Sequence, residues 1–313
     1  MNEFDRSEVL VTGGTGSFGQ IIVRQLLEAN AARVRVLSRD EAKQDAMRDQ
    51  FSDDRLTFIT GDVRDASTVV SAMDGVRYAF HAAALKQVPN CERHPMEAIR
   101  TNTLGSENVR LAALQCSPEA VVAISTDKAC SPINTMGLSK ALMERIFLQE
   151  SHRQNGPRFV CVRYGNVIGS RGSVVPLFSS RIRQQRPLPI TDFEMTRFLL
   201  RLPQAVETAL AAARFGNNGE MWIRKMPAAT IRALVDAMAP AGYPTTLVGV
   251  RPGEKKHEVL VNEDEMRRAV DMGSHYVIGA KPGDMSGEYT SANTERLSVE
   301  SLRDMLRQAE ALS

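Results

Sequence analysis

Neither sign of charge dominates this 313-residue chain: 39 lysines and arginines stand against 37 aspartates and glutamates, a net of +2. That balance leaves no footprint for nucleic acid or a membrane surface, and small molecules are the expected partners. Cysteine is sparse. Cys91, Cys116, Cys130 and Cys161 fall without paired spacing, so they read as reduced thiols of a cytoplasmic protein. The five histidines have no metal-ligand spacing with one another or with cysteine, and no structural metal is expected. No apolar run approaches the length that spans a bilayer, and the start MNEFDRSEVLV enters a strand without a basic leader; a soluble, unexported protein is expected. Internal repeats and low-complexity segments are missing as well. What remains is an ordinary globular composition, 43% apolar and 24% charged, long enough for a full α/β core and a smaller second domain.

The N-terminal half reads as strands alternating with helices. Glu8-Val-Leu-Val-Thr12 is a β-branched run followed at once by Gly13-Gly-Thr15-Gly16-Ser17-Phe18-Gly19 and by a helix with apolar Ile21, Ile22, Val23, Leu26 and Leu27. Strand, glycine loop and helix in that order predict a dinucleotide site: Gly13 for the turn, Gly16 for backbone approach to a pyrophosphate, Gly19 for close helix packing. Free amides at the helix start supply the anion site. A second strand, 33–37, ends in Ser38-Arg39-Asp40, where an NAD site places a carboxylate on the ribose. Arg39, with Lys43 a turn later, suits a 2′-phosphate, so NADP is favoured; Asp40 keeps NAD possible. A third strand (56–60) leads to Gly61-Asp62-Val63, where Asp62 also reads as a helix cap. A fourth (76–81) ends in Ala82-Ala83-Ala84, small enough for a cofactor to lie on backbone, followed by Lys86 near substrate or ribose. The helical stretch 97–116 contains Asn102, a poor mid-helix residue that invites a polar contact.

Ser125 to Lys140, STDKACSPINTMGLSK, is the stretch on which the rest turns. The apolar run 119–124 reads as a strand buried on both faces, and ligands sit beyond the carboxyl ends of such strands. Asp127 and Lys128 are adjacent, so both face one pocket only if the backbone leaves strand geometry there. Met136 and Lys140, four apart, share a helix face. A sixth strand, 158–162, closes with Arg163-Tyr-Gly-Asn166. A domain boundary is expected near 167, with 1–167 binding the dinucleotide, 168–313 mainly holding substrate, and some return of chain to the sheet around 205–222. Residues 169–176 read as a mobile glycine-rich loop. The second half then gathers anion binders, Arg171, Arg181, Arg197 and Arg251-Pro-Gly-Glu254-Lys255, beside turn-forming residues suited to gripping a diphosphate.

The glycine spacing GxxGxxG is similar to that of the short-chain dehydrogenase/reductase superfamily. Together TGGTGSFG, SRDEAKQ, GDVRD, HAAALKQVP, STDKACSPINTMGLSK, RYGNVIGSRGSVVPLF, MTRF and RPGEK resemble the inverting UDP-N-acetylglucosamine 4,6-dehydratases of capsule, O-antigen and flagellin-glycan synthesis. The resemblance implies a Rossmann-like, doubly wound parallel sheet with a smaller C-terminal substrate domain, a UDP-sugar substrate and a homo-oligomer. It also implies adenine contacts at Asp62 and Val63, an active-site asparagine at Asn102, and a catalytic strand end at Thr126, Asp127 and Lys128. Met136 and Lys140 would stand where the superfamily has its Tyr-x-x-x-Lys pair. A thioether accepts no proton, so the group that deprotonates the sugar 4-hydroxyl is open. Substrate contacts are expected from Lys86, Arg163, Asn166, Ser173, Val174, Thr191, Met195, Arg197, Arg251 and Glu254. Lys128, its pKa depressed by burial beside Lys140, is assigned to C5 proton transfer and Asp127 to the leaving C6 oxygen. Two rivals stand beside this reading: a UDP-sugar 4-epimerase, alone or combined with dehydration, and a non-catalytic NADP-binding regulator.

Overall fold

The computed structural model describes residues 3–170, 173–279, 283 and 285–310. Six parallel strands, β1 (Glu8–Thr12), β2 (Arg33–Ser38), β3 (Leu56–Thr60), β4 (Tyr78–His81), β5 (Ala120–Thr126) and β6 (Arg158–Tyr164), form the body of a nine-stranded sheet. The six lie in the order β3-β2-β1-β4-β5-β6, with a parallel strand Met221–Arg224 beside β6 and an antiparallel pair, His275–Ile278 and Ala269–Asp271, at the edge. The return of chain expected near 205–222 thus takes the form of the Leu202–Phe215 helix and the Met221–Arg224 strand, and the two edge strands extend it. Successive side chains of β1 go to opposite faces: Leu10 joins one apolar core, Val9 and Val11 the other, as the period of a strand requires. A sheet covered on both faces explains why these strands read as continuous apolar runs.

The order reverses at β1 and β4, so the loops that leave their carboxyl ends part in opposite directions and open a crevice. Residues 166–200 and 228–230 add a three-stranded sheet, and a third apolar core centred on Phe178, Leu188, Ile190, Met195 and Leu302 lies under it. Val299–Glu310 closes that core by inserting Leu302 and Leu306, one turn apart on one face. No helix among the described residues is long and apolar enough to cross a membrane.

Candidate active site

A single cleft of about 1680 Å³ runs from the glycine loop to the C-terminal region, along the carboxyl ends of β1, β2, β4, β5 and β6. At one end Gly13 takes φ +70°, and a Cβ there would sit 2.7 Å from the Ala83 amide nitrogen; a Cβ on Gly19 would meet Gly14 Cα at 2.4 Å. Both glycines are required by close backbone approach. The Ser17–Glu28 helix starts at Gly16 with no side-chain cap, leaving its first amides available to an anion at the cleft. Thr15, Ser17 and Phe18 line the same end, with Ser38, Arg39, Asp40 and Lys43 beyond β2 and Asp62 and Val63 beyond β3. Ala82, Ala83, Ala84 and Lys86 form the wall after β4. Arg39 Nη1 lies 3.4 Å from Asp62, which Arg64 also grips at 2.7 Å; burial raises the Asp62 carboxyl, but those arginines hold it below its ordinary value. Lys43 pairs with Asp40. A glycine-rich loop, an uncapped helix start and a wall of three alanines fit a dinucleotide.

The chain leaves β5 through a tight 3-10 turn, Asp127–Ala129, and this is where strand alternation is broken. The turn does not bring both charges into the cleft. Lys128 and Thr126 line it; Asp127 is wholly buried behind them, its Oδ1 accepting from the Thr126 hydroxyl at 2.9 Å and from Lys128 Nζ at 3.0 Å. Asp127 is therefore not part of the cleft lining, where it was expected beside Lys128; one oxygen holds Lys128 and Thr126, and its Oδ2 has no hydrogen-bond partner among the described residues. Lys128 also meets Glu258, with Nζ 3.4 Å from Oε1. Burial disfavours the Lys128 ammonium, yet the charges of Asp127 and Glu258 raise its pKa above the ordinary lysine value. The depressed lysine is Lys140 instead. Its Nζ, buried, donates to the Ile124 carbonyl at 2.6 Å and approaches Met143 sulfur at 2.8 Å, and desolvation outweighs Glu144 to bring it down to about 8. Met136 lines the cleft one turn before it, on the Thr135–Leu148 helix.

Three other expected site residues do not line the cleft. Arg163 spends its guanidinium on Glu144, Glu265 and the Leu260 carbonyl, five hydrogen bonds in a buried cluster, because β6 alternation turns it away from the crevice while Tyr164 faces it. Asn102 sits in a π-helical stretch, Ile99–Leu104, and clamps the backbone N–H and C=O of Leu85 and the Ser139 hydroxyl. Met195 is core, its sulfur accepting from Thr191 at 3.2 Å and approached by Arg197 at 3.4 Å. Asn166, Ser173, Val174, Thr191, Arg197, Arg251 and Glu254 do line the cleft. Arg171 lies outside the described residues, Arg181 does not line the cleft, and Lys255 instead donates to the Cys130 carbonyl at 2.6 Å. Two functional candidates escaped the sequence reading. Tyr164, two residues beyond the strand as read, faces the cleft and stacks at 6.2 Å on Phe18; Glu258 follows the RPGEK motif by three residues, and that proximity was its only signal.

Residues 9–280 match the model of a family described as polysaccharide biosynthesis protein. The chain belongs to that family. Its relatives include a protein of Rickettsia rickettsii named UDP-glucose 4-epimerase, 43% identical over 95% of this chain and 94% of its own, and one of Rickettsia felis with the same name, 44% identical over the same shares. Among solved structures, Pen from Bacillus thuringiensis superposes with a TM-score of 0.93 at 34% identity, covering 98% of this chain and 99% of its own. DesIV of Streptomyces venezuelae, a dTDP-glucose 4,6-dehydratase holding NAD and TYD, gives 0.74 at 23% identity over 98% of this chain and all of its own, a likeness of fold. That fold is the Rossmann-like extended short-chain dehydrogenase/reductase architecture, and the chain is an enzyme of the nucleotide-sugar epimerase and dehydratase group.

Proposed function

We propose that this chain converts UDP-N-acetylglucosamine to a 4-keto-6-deoxy sugar with inversion at C5, a lyase reaction on a dehydrogenase fold. The observation that carries the reading is the ion cluster on Lys128 at the cleft, set beside a methionine where a proton-accepting hydroxyl would otherwise stand. Exchange of configuration at C4 alone needs a group at the 4-hydroxyl and none at C5. Dehydration needs one group to take the C5 proton and another to protonate the departing C6 oxygen. A lysine flanked by two carboxylates offers a group for each.

The residues at the glycine loop would hold the diphosphate of the cofactor on backbone amides, and Asp62 and Val63 its adenine. Arg39 and Lys43 favour the 2′-phosphate of NADP over NAD. A nicotinamide dinucleotide, when bound, takes a hydride from the sugar and gives it back, so no net oxidation occurs. The chain's own part is to orient and to move protons. Arg197 and Arg251 would grip the UDP diphosphate, with Asn166, Ser173 and Thr191 around the sugar and nucleotide. Lys140 would keep the nicotinamide ribose in place, and its lowered pKa makes it a candidate for the 4-hydroxyl proton that Met136 does not accept. Lys128 would exchange the proton at C5.

A second reading, 4-epimerisation, has the names of the Rickettsia relatives in its favour. One experiment separates them. Protein stripped of nucleotide and reloaded with NADP or NAD is incubated with UDP-N-acetylglucosamine in deuterated water and followed by proton NMR and mass spectrometry. A keto product lighter by one water and deuterated at C5, formed faster with NADP, is the expected outcome. A 4-epimer without deuterium at C5 would sink the dehydratase.

A further inference from the structure

Resting on the reading of NADP as the cofactor, we infer that Gln44, a buried amide outside the cleft lining, sets the preference for the 2′-phosphate by fixing the direction in which the Ser38 hydroxyl donates. Gln44 is one of two residues that the helix Glu41–Phe51 buries after β2, and a glutamine so placed needs partners for its amide. It has them on two strands. Its Nε2 donates to the Ser38 carbonyl at 3.0 Å and to the Ile59 carbonyl at 3.1 Å, and its Oε1 accepts from the Thr60 hydroxyl at 3.0 Å.

Those two carbonyls settle which end of the amide is which. Turned over, the side chain would set its own oxygen against two backbone oxygens, so the nitrogen faces them. The Ser38 hydroxyl oxygen lies 3.0 Å from the same nitrogen. An amide nitrogen accepts no hydrogen bond, so Ser38 Oγ is the acceptor in this contact and its own proton goes elsewhere. Ser38 lines the cleft, and its hydroxyl makes no other hydrogen bond among the described residues. The proton is left for a ligand.

The neighbours sort that ligand by sign. Asp40 accepts from the Lys43 amide at 3.1 Å through one oxygen, as the cap of its helix, and pairs with Lys43 Nζ through the other. Both oxygens of the carboxylate already have a donor, so a ribose 2′-hydroxyl gains little from it. Ser38, Arg39 and Lys43 all line the cleft beside it and offer the 2′ position a hydroxyl, a guanidinium and an ammonium, which are all donors. A phosphate accepts from each, and a hydrogen bond to a charged group is about twice as strong as a neutral one. Gln44 is a positioning residue in this arrangement. With its nitrogen gone, the Ser38 oxygen loses the bond that holds its proton outward, and the two carbonyls lose a donor that the hydroxyl itself replaces by turning inward. The site then loses a donor to the phosphate and nothing on which NAD depends.

The test measures NADP and NAD dissociation constants by isothermal titration calorimetry on nucleotide-free wild type, Gln44→Met, Ser38→Ala and the double variant, with urea unfolding to establish that each is folded. Wild type is expected to bind NADP at least about tenfold more tightly than NAD. Gln44→Met and Ser38→Ala should each weaken NADP about tenfold and leave NAD within about threefold. The double variant should be no weaker than the weaker single one, because both remove the same bond. Gln44→Glu keeps the shape and turns Ser38 into the donor; it should weaken NADP selectively too, and it serves if the methionine variant does not fold. A glutamine that merely holds the strand ends together weakens both nucleotides equally when replaced, and that result overturns the inference, as do additive losses in the double variant or a Gln44→Met protein within about threefold of wild type for NADP. If wild type binds NAD more tightly, the NADP reading fails first and takes this inference with it. None of these outcomes depends on which reaction the enzyme performs.

Discussion

His81, at the carboxyl end of β4, is buried between the Thr12 hydroxyl at 2.8 Å from Nδ1 and the Ser106 hydroxyl at 2.9 Å from Nε2. Burial, assisted by the nearby Lys140 charge, lowers its pKa to about 3. Between that value and the unfolded value near 6.5 the unfolded chain binds a proton that the folded chain does not, so stability rises with pH across the window and is lost as pH falls through it. The expected slope is about 1.4 kcal/mol per pH unit from this residue. Urea unfolding between pH 6.5 and 4 measures it, and His81→Gln should flatten the slope by that amount; an unchanged slope would show that the proton is taken up elsewhere. Nothing about HAAA in the sequence announced this, because a histidine at a strand end is equally a ligand, a base or a packed ring. The same holds for the two lysines. Sequence placed both beside one strand end, but the sign of each pKa shift depends on which carboxylates come within reach, and Glu258 is 130 residues from Lys128 in the chain.

At the scale of elements, the helix Thr135–Leu148 carries Met136 and Lys140 and is seated by a glycine. A Cβ on Gly137 would lie 2.2 Å from the Lys128 carbonyl oxygen, while Asn134 caps the helix by accepting from the Gly137 amide at 2.7 Å. Gly137→Ala should therefore push the Asp127–Ala129 turn and the helix start apart. The expected result is a loss of about 1–3 kcal/mol in stability together with a fall in kcat larger than any rise in KM, because the displaced backbone is that of Lys128. Retention of full kcat would show that the turn absorbs the shift. The helix and its period were legible in Met136 and Lys140. The turn that precedes it was foreseen only as a condition for both charges to share a pocket, and it resolved the condition the other way. Asn102 taught a similar lesson: its polar contact was expected, but the π-helical stretch that lets it clamp Leu85 has no periodic signature of its own.

Across the whole molecule, the buried Arg163 joins three segments. It holds Glu144 of the Thr135–Leu148 helix at 2.7 Å and Glu265 near the C-terminal strand Val259–Val261 at 2.8 Å, and the Ser125 hydroxyl donates to Glu144 from the end of β5. Replacing Arg163 with methionine leaves two carboxylates facing each other in the interior and should cost about 3–5 kcal/mol. Neutralising both partners in Arg163→Met, Glu144→Leu, Glu265→Met should return most of it, measured by urea unfolding; a triple variant as unstable as the single one would locate the loss in packing volume and not in charge. The same cluster spans the two halves of the chain, so the single variant is also expected to loosen the segment that presents Glu258.

The local code determined a great deal by itself: β1 through β6, the glycine loop between β1 and its helix, the absence of charge bias, and a strand end rich in reactive groups. These rest on interactions between residues close in sequence, namely alternation, helix period, steric demand at glycine and the small size of alanine. Tertiary structure decided which of the charged groups meet. Asp127 turned inward, Arg163 was taken up by two glutamates, and Glu258 came to Lys128 from the far end of the chain. The physical reason is that an ion pair is fixed by distance in space and by the water excluded around it, and neither is set until the sheet, its return strands and the C-terminal segment have closed on one another.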